Sequence, residues 1–268
     1  MKQLLLIGLL LGLLSCSDKK ISKENKTKTM LAVLAHPDDE AAIGQILSRY
    51  AREGNKVYLV IAADGRYGIE EHAGIPPGDS LATIRQGESK CACEILGIQP
   101  PIFLNAHDAF GLLNGMGEYF TQIKMVKEKL AEIIVELKPD VIITFGPDGD
   151  TGHPDHKQIS DLVTEVMLMN DGWAEKYPLF YLAWPKEKIV DIQQGFHNSL
   201  NYVHERYRNV QIKYDKEDQS KTFKSLECYK SQMTKDDIDK WIQAEKKDTT
   251  YTNYFRQLIT DTEVRTEF

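Results

Sequence analysis

The chain has 268 residues, of which 42% are hydrophobic and 27% charged, with a net charge of −7. That usage excludes a disordered, collagen-like or coiled-coil chain, and the length is enough to bury a sizeable core. A net negative chain without a basic stripe lacks the electrostatic footprint of a nucleic-acid binder, so no nucleic acid is expected as a partner.

The N-terminus reads as an address. Lys2 precedes an apolar run over residues 4–14. This is shorter than the roughly 20 residues of a membrane-spanning helix but right for the core of a signal peptide. The run ends in Leu13-Leu14-Ser15-Cys16, which resembles a bacterial lipobox. The expectation is a lipoprotein signal peptide over residues 1–15, lipidation of Cys16, and a polar, Lys-rich tether over 16–29. The folded part then begins near Met30 as one domain running to residue 268. The protein would be exported and anchored by lipid to the bacterial cell envelope, on its periplasmic or surface face. Three further cysteines, Cys91, Cys93 and Cys228, remain. Cys91 and Cys93 point to different faces of a helix and read as core fillers. Without a Cys-x-x-Cys, a structural zinc site built from four cysteines is not expected.

Residues 30–35 form a continuous apolar run bounded by polar residues, which predicts a buried strand. Residues 39–53 carry apolar positions at helical spacing, with Gly54 placed to end the helix. Residues 56–63 predict a second buried strand, and 64–78 a long loop of the kind that is often functional. A helix follows over 79–96, a short strand over 102–104, and a helix over 118–137 with its stripe at Ile123, Val126, Leu130, Ile133, Ile134 and Leu137. Strands are predicted over 140–145 and 179–184, flanking a helix over 156–169. Beyond Trp184 the pattern weakens to short strands at 202–203 and 210–213 and a helix over 222–241, broken near Thr234. The alternation predicts an α/β fold: a doubly wound, mostly parallel sheet with helices on both faces.

Two segments carry the chemistry. Ala35-His36-Pro37-Asp38-Asp39-Glu40 ends the first strand, and Gly152-His153-Pro154-Asp155-His156 follows the strand ending at Phe145. With strand order 3-2-1-4-5, strands 1 and 4 flank the point where the order reverses, and ligand sites form at their C-terminal ends. The two segments would face one another across that crevice. His36, Asp39 and His156 offer two imidazoles and a carboxylate, a set that leaves room for water on a catalytic zinc. Zinc lowers the pKa of bound water to about 7. Asp38 is then the spare carboxylate, placed to act as a base. His153 is the spare imidazole, able to stabilise an oxyanion or protonate a leaving amine. Asp155 is placed to orient His153. His36-Pro37-Asp38 also fits the His-x-Asp of iron facial triads, but those enzymes are typically all-β. Helix capping alone explains a concentration of seven acidic or imidazole residues in two short segments poorly.

The two motifs, in this order and about 115 residues apart, resemble those of the LmbE/PIG-L family of zinc-dependent N-acetylglucosaminyl deacetylases. Weaker echoes are Arg85-Gln86-Gly87-Glu88 and Tyr229-Lys230-Ser231-Gln232, so the resemblance runs from about residue 30 to about 232. It implies a Rossmann-like fold and hydrolysis of an N-acetyl group from an N-acetylglucosamine-type conjugate, with an amino-sugar-containing small molecule or glycan as partner. It also implies Zn2+, or another divalent metal, held by His36, Asp39 and His156. Asp38 is then the base and His153 the acid or oxyanion residue. The family's substrate-binding Arg falls on Arg85 and its Asp on Asp108. Arg66 and Tyr67, where the family more often has an acidic residue, put a cation and an aromatic ring near the site mouth. Two other readings stay open: an amidase of the same metal chemistry acting on a non-sugar amide, and a non-catalytic glycan-binding lipoprotein. His72, His107, His197 and His204 read as surface or packing residues. The sequence leaves the oligomeric state open.

Overall fold

The computed structural model describes residues 27–193 and 201–258. The signal peptide, Cys16, most of the tether and His197 lie outside the described residues. No helix among the described residues is long and apolar enough to cross a membrane.

The chain runs through β1 (Thr29–Leu34), α1 (Gly44–Arg52), β2 (Lys56–Ala63), α2 (Asp79–Leu96), β3 (Ile102–Ala106), α3 (Met116–Leu137), β4 (Val141–Thr144) and α4 (Pro154–Met169). It continues through α5 (Trp173–Lys176), β5 (Leu179–Leu182), α6 (Lys186–Gln193), β6 (Val210–Lys213), α7 (Lys216–Leu226), α8 (Lys235–Lys247) and β7 (Thr252–Gln257). The sheet order is β3-β2-β1-β4-β5-β7-β6. The first five strands are parallel, and β7 joins β5 and β6 antiparallel. β1, covered on both faces, is buried from Met30 to Leu34, as its unbroken apolar run requires. β1 pairs with β2 on one side and β4 on the other, so the strand order reverses between β1 and β4.

Local chemistry sets the remaining boundaries. The predicted helix over 39–53 divides at Ile43 into a 3-10 turn, Asp39–Ala42, and α1. Gly44, which opens α1, faces α7 so closely that a Cβ would lie 2.8 Å from Thr222 Cγ2. The predicted helix over 222–241 proves to be two. α7 starts earlier, where Asp215 and Asp218 form a capping box, and α8 starts where Thr234 and Asp237 form another. Apolar periodicity does not see that early start, because the first turn of α7 is charged. No strand forms at 202–203: Val203 N–H donates to the Trp184 carbonyl and a one-turn helix follows at Glu205–Tyr207.

The cysteines correct another expectation. Cys93 is a buried free thiol, as a core filler should be, but Cys91 is not one: it is bonded to Cys228. Two residues apart on α2, the pair does point to different faces. Cys93 enters the core, and Cys91 meets the turn that follows α7.

Candidate active site

The site lies at the C-terminal ends of β1 and β4, over the reversal point. His36, Asp38, Asp39, His153, Asp155 and His156 all line one cavity of about 640 Å³. The two segments predicted to meet do meet.

Each of the two imidazoles is oriented through one nitrogen and presents the other. His36 Nε2 lies 3.0 Å from Asp155 Oδ2, which leaves Nδ1 facing Asp39 Oδ2 at 3.8 Å. His156 Nδ1 lies 3.1 Å from the Gly149 carbonyl, which leaves Nε2 facing Asp39 Oδ1 at 3.1 Å. A carbonyl can only accept, so Nδ1 of His156 carries a proton, and Nε2, facing Asp39, is the nitrogen that can donate an electron pair to a cation once its own proton is displaced. The His156 ring also stacks on Phe145, with centroids 4.2 Å apart. His36, His153 and His156 each offer a nitrogen within 4.8 Å of the others, as do the ligand atoms of His36, Asp108 and Asp155. Two imidazole nitrogens converging on one carboxylate, each fixed from behind, make a donor set suited to zinc or a similar divalent ion.

Asp155 thus serves a different residue from the one expected. Its carboxylate accepts from the Ala109 backbone N–H and pairs with His36, not with His153. It is the Asp155 backbone N–H that holds His153, donating to Nδ1 at 3.1 Å as the N-cap contact of α4. Sequence spacing does not distinguish the two, because the first turn of α4 turns the Asp155 side chain back towards β1.

Asp38 sits at φ 102°, a left-handed backbone conformation that a non-glycine residue occupies only when its surroundings enforce it. Arg85 is part of that enforcement: Nη2 donates to the Pro37 carbonyl at 2.6 Å and to Asp38 Oδ2 at 3.1 Å, while Nη1 donates to the Gly65 carbonyl at 3.1 Å. Gly65 and Gly68 make room for the guanidinium, which a Cβ on either would overlap. Arg85 is buried, with both terminal nitrogens held by protein groups. Asp108 is likewise held, its carboxylate accepting the N–H groups of Gly65 and Tyr67, both at 2.7 Å. Both residues still line the cavity. Tyr67 lines it too, whereas Arg66 turns away to pair with Asp64 and Asp79.

Burial pushes the Asp38 carboxyl up to about 6 against the opposing pull of Arg85. Burial works against ionisation of Asp39 as well, yet His156 and His36 hold it well below the usual carboxylate range. For His156, burial is outweighed by Asp39, and the pKa rises to about 9. Burial and the neighbouring His36 and His156 hold His153 below the ordinary imidazole value.

One residue of the site, Asp150, goes unread in the sequence, and Tyr229 reads there only as part of an echo of the family with no role of its own. Asp150, at φ 60° in the turn before His153, is buried in the cavity wall, and burial raises its pKa to about 7. Nothing in Gly149-Asp150-Thr151 marks it beyond turn composition. Tyr229 is fully buried and donates its hydroxyl hydrogen to Glu40, tying the turn after α7 to the first motif. Of the remaining histidines, His72 lies beside the Lys230 carbonyl and His204 caps the turn at Glu205–Tyr207, while the His107 N–H donates to Gln122.

Comparison with known proteins agrees with this geometry. The family model described as PIG-L: GlcNAc-PI de-N-acetylase matches residues 31–167. A 1D-myo-inositol 2-acetamido-2-deoxy-alpha-D-glucopyranoside deacetylase from Kineococcus radiotolerans is 29% identical over 196 residues, covering 65% of this chain and 54% of its own. The chain spans about half the length of the curated relatives it matches. Among solved structures, the N,N'-diacetylchitobiose deacetylase from Pyrococcus horikoshii has a TM-score of 0.58 at 21% identity, covering 87% of this chain and 84% of that one. A deacetylase of the teicoplanin biosynthesis pathway has a TM-score of 0.65 at 18% identity, covering 88% and 100%. At such identity these two share the fold. The family match spans half of the chain, from β1 to α4, and both histidine–aspartate motifs lie within it, so the chain belongs to the PIG-L (GlcNAc-PI de-N-acetylase) family of deacetylases.

Proposed function

We propose that this chain hydrolyses the N-acetyl group of an N-acetylglucosamine-type amino-sugar conjugate, and that it does so with a divalent metal, zinc by the donor set. The observation that carries this reading is the convergence of His36 Nδ1 and His156 Nε2 on Asp39 beside a separate, Arg85-held carboxylate, Asp38. His36, Asp39 and His156 would hold the metal. Bound there, it supplies a Lewis acid that polarises the amide carbonyl and makes water a nucleophile at neutral pH.

The chain's own groups perform the rest. Asp38, ionised above about pH 6, takes the proton from the attacking water as the new C–O bond forms. Burial and the neighbouring imidazoles favour the neutral form of His153, and its Nδ1 accepts the Asp155 N–H, so its proton resides on Nε2. That N–H stabilises the charge developing on the carbonyl oxygen, and Asp38 returns the proton it took from water to the amine nitrogen as the C–N bond breaks. Acetate and a free amino sugar leave. The test is release of acetate and amine from a panel of N-acetylglucosamine conjugates, with and without chelator. Chelator-sensitive release that Asp38→Ala abolishes sustains the reading, and activity intact in His36→Ala overturns it.

We further propose that the protein is exported and tethered by lipid at Cys16. The Cys91–Cys228 bond supports export, since such bonds persist in oxidising compartments. Incorporation of radiolabelled palmitate, lost in Cys16→Ser, checks the tether.

A further inference from the structure

The mouth of the cavity carries an apolar surface that hydrolysis of an acetamido group does not require. Leu113 is 69% exposed and Phe120 61%, and Leu112 and Met116 are exposed beside them. Met116 and Phe120 are four apart and share one face of α3. Tyr67 and Ile69 are exposed on the neighbouring loop, which Asp108 ties to this one through the Tyr67 N–H. Half of the exposed large hydrophobic side chains among the described residues therefore sit on two short segments, 67–69 and 112–120, that Asp108 ties together. A patch so concentrated marks a contact surface.

The backbone holds this patch out. Ala109, Phe110 and Gly111 are all left-handed, at φ 56°, 48° and 77°. Their path buries the Phe110 ring and turns Leu112 and Leu113 to the outside. The loop is fastened at its start by Asp108 to Gly65 and Tyr67 and by the Ala109 N–H to Asp155. Strain of this kind in non-glycine residues persists where the conformation serves a site.

The patch is continuous with the catalytic cavity. Tyr67 and Leu113 line the cavity itself, as do Met233 and Trp241 from the C-terminal part of the chain. A group attached to a sugar whose acetamido lies at His36 and Asp39 would share the cavity with these side chains. The same lining argues against an anionic group. Among the described residues it contains no lysine, its one arginine is Arg85, already committed, and Glu70 adds a carboxylate.

We propose that this rim binds the aglycone of the substrate, and that the aglycone is uncharged and apolar, an alkyl or aryl group rather than an inositol, a phosphate or a second sugar. The proposal rests on the amino-sugar reading of the site. The experiment compares kcat/KM of the purified protein on methyl, octyl and phenyl N-acetylglucosaminides and on the 1-phosphate, all below micellar concentrations. The octyl glycoside is expected to exceed the methyl by about tenfold or more, through a lower KM, as burial of roughly two methylenes would give. The octyl-to-methyl ratio falls towards one in Leu113→Ser/Phe120→Ser. Phe120→Ser alone, at an exposed helix position, lowers it part of the way and guards against misfolding of the double variant. A flat series, a preference for the phosphate, or a ratio that survives both variants overturns the proposal. So does a chain that self-associates through the patch, seen as a dimer by sedimentation that the double variant abolishes without any chain-length effect. If no sugar releases acetate, the amino-sugar reading fails. The rim is then judged by calorimetric titration with the octyl glycoside, and heat of binding that the double variant loses upholds the surface, whereas no heat overturns it.

Discussion

Arg85 grips Asp38 and the backbone beneath it at once: one terminal nitrogen reaches both Asp38 Oδ2 and the Pro37 carbonyl. It thereby holds Asp38 in its left-handed conformation and lowers the pKa of a carboxyl that burial raises. Replacing Arg85 with Met should lower kcat by about a hundredfold, the size of effect a displacement near 1 Å produces. The acid limb of the pH–rate profile should move to higher pH, because the cation that favoured ionisation is gone. An arginine used chiefly to bind substrate would raise KM and leave that limb in place. Gly68→Ala, whose methyl would overlap the guanidinium, should displace the limb in the same direction.

In the unaltered protein, kcat/KM should fall as the pH drops through about 6, as the base takes up its proton. A bound cation stabilises the ionised form further, so with metal the midpoint lies at or below that value. A midpoint above pH 7 would remove Asp38 from the role of base.

Metal binding should release protons. Metal-free His156 titrates near 9 because of Asp39, so at neutral pH a cation must displace that proton. Apparent affinity then rises by about tenfold per pH unit for each proton displaced, between pH 6 and 8. Zinc titrations in two buffers of different ionisation enthalpy count those protons directly. His36→Ala and His156→Ala should each lose the metal as measured by elemental analysis.

Glu40 is fully buried, and burial raises its pKa to about 8, against the opposing hydrogen bond from Tyr229. The folded state therefore keeps Glu40 protonated over a range where the unfolded chain ionises it. This group's contribution is full below about pH 4.5, declines up to about pH 8, and is constant beyond. Glu40→Gln should remove that decline and leave thermal unfolding less dependent on pH, while Tyr229→Phe should cost about 1–3 kcal/mol by stranding a buried carboxyl oxygen.

Cys91 and Cys228 are 137 residues apart in sequence, and closing so long a loop restricts the unfolded chain. Reduction or Cys91→Ser should cost about 2–5 kcal/mol, read as a lower Tm. Cys93, a buried thiol whose pKa burial pushes up, should stay unreactive towards maleimide until the protein unfolds.

Most of what positions the site is legible in sequence. β1, β2 and β4 are continuous apolar runs, the first motif begins where β1 ends and the second follows β4 after the turn at 145–151, so strands, reversal point and the residues that meet there are read together. Relations between distant residues are not legible. The carboxylate of Asp155 chooses His36 across 119 residues rather than His153 two positions away. Cys91 finds Cys228 without any local signature. β7 is missed because its buried residues include Thr252 and Asn253 beside Phe255, a pattern that apolar alternation cannot reveal.

The place of β7 has a consequence for the order in which the chain can assemble. It lies between β5 and β6 in the sheet although it follows both in sequence. During synthesis, everything from β1 to β5 can pair as it emerges, but β6 waits, unpaired, for residues 252–257. A nascent or truncated chain ending before Thr252 therefore carries a strand with nothing to join and an open edge on β5, where two molecules in that condition can pair with one another.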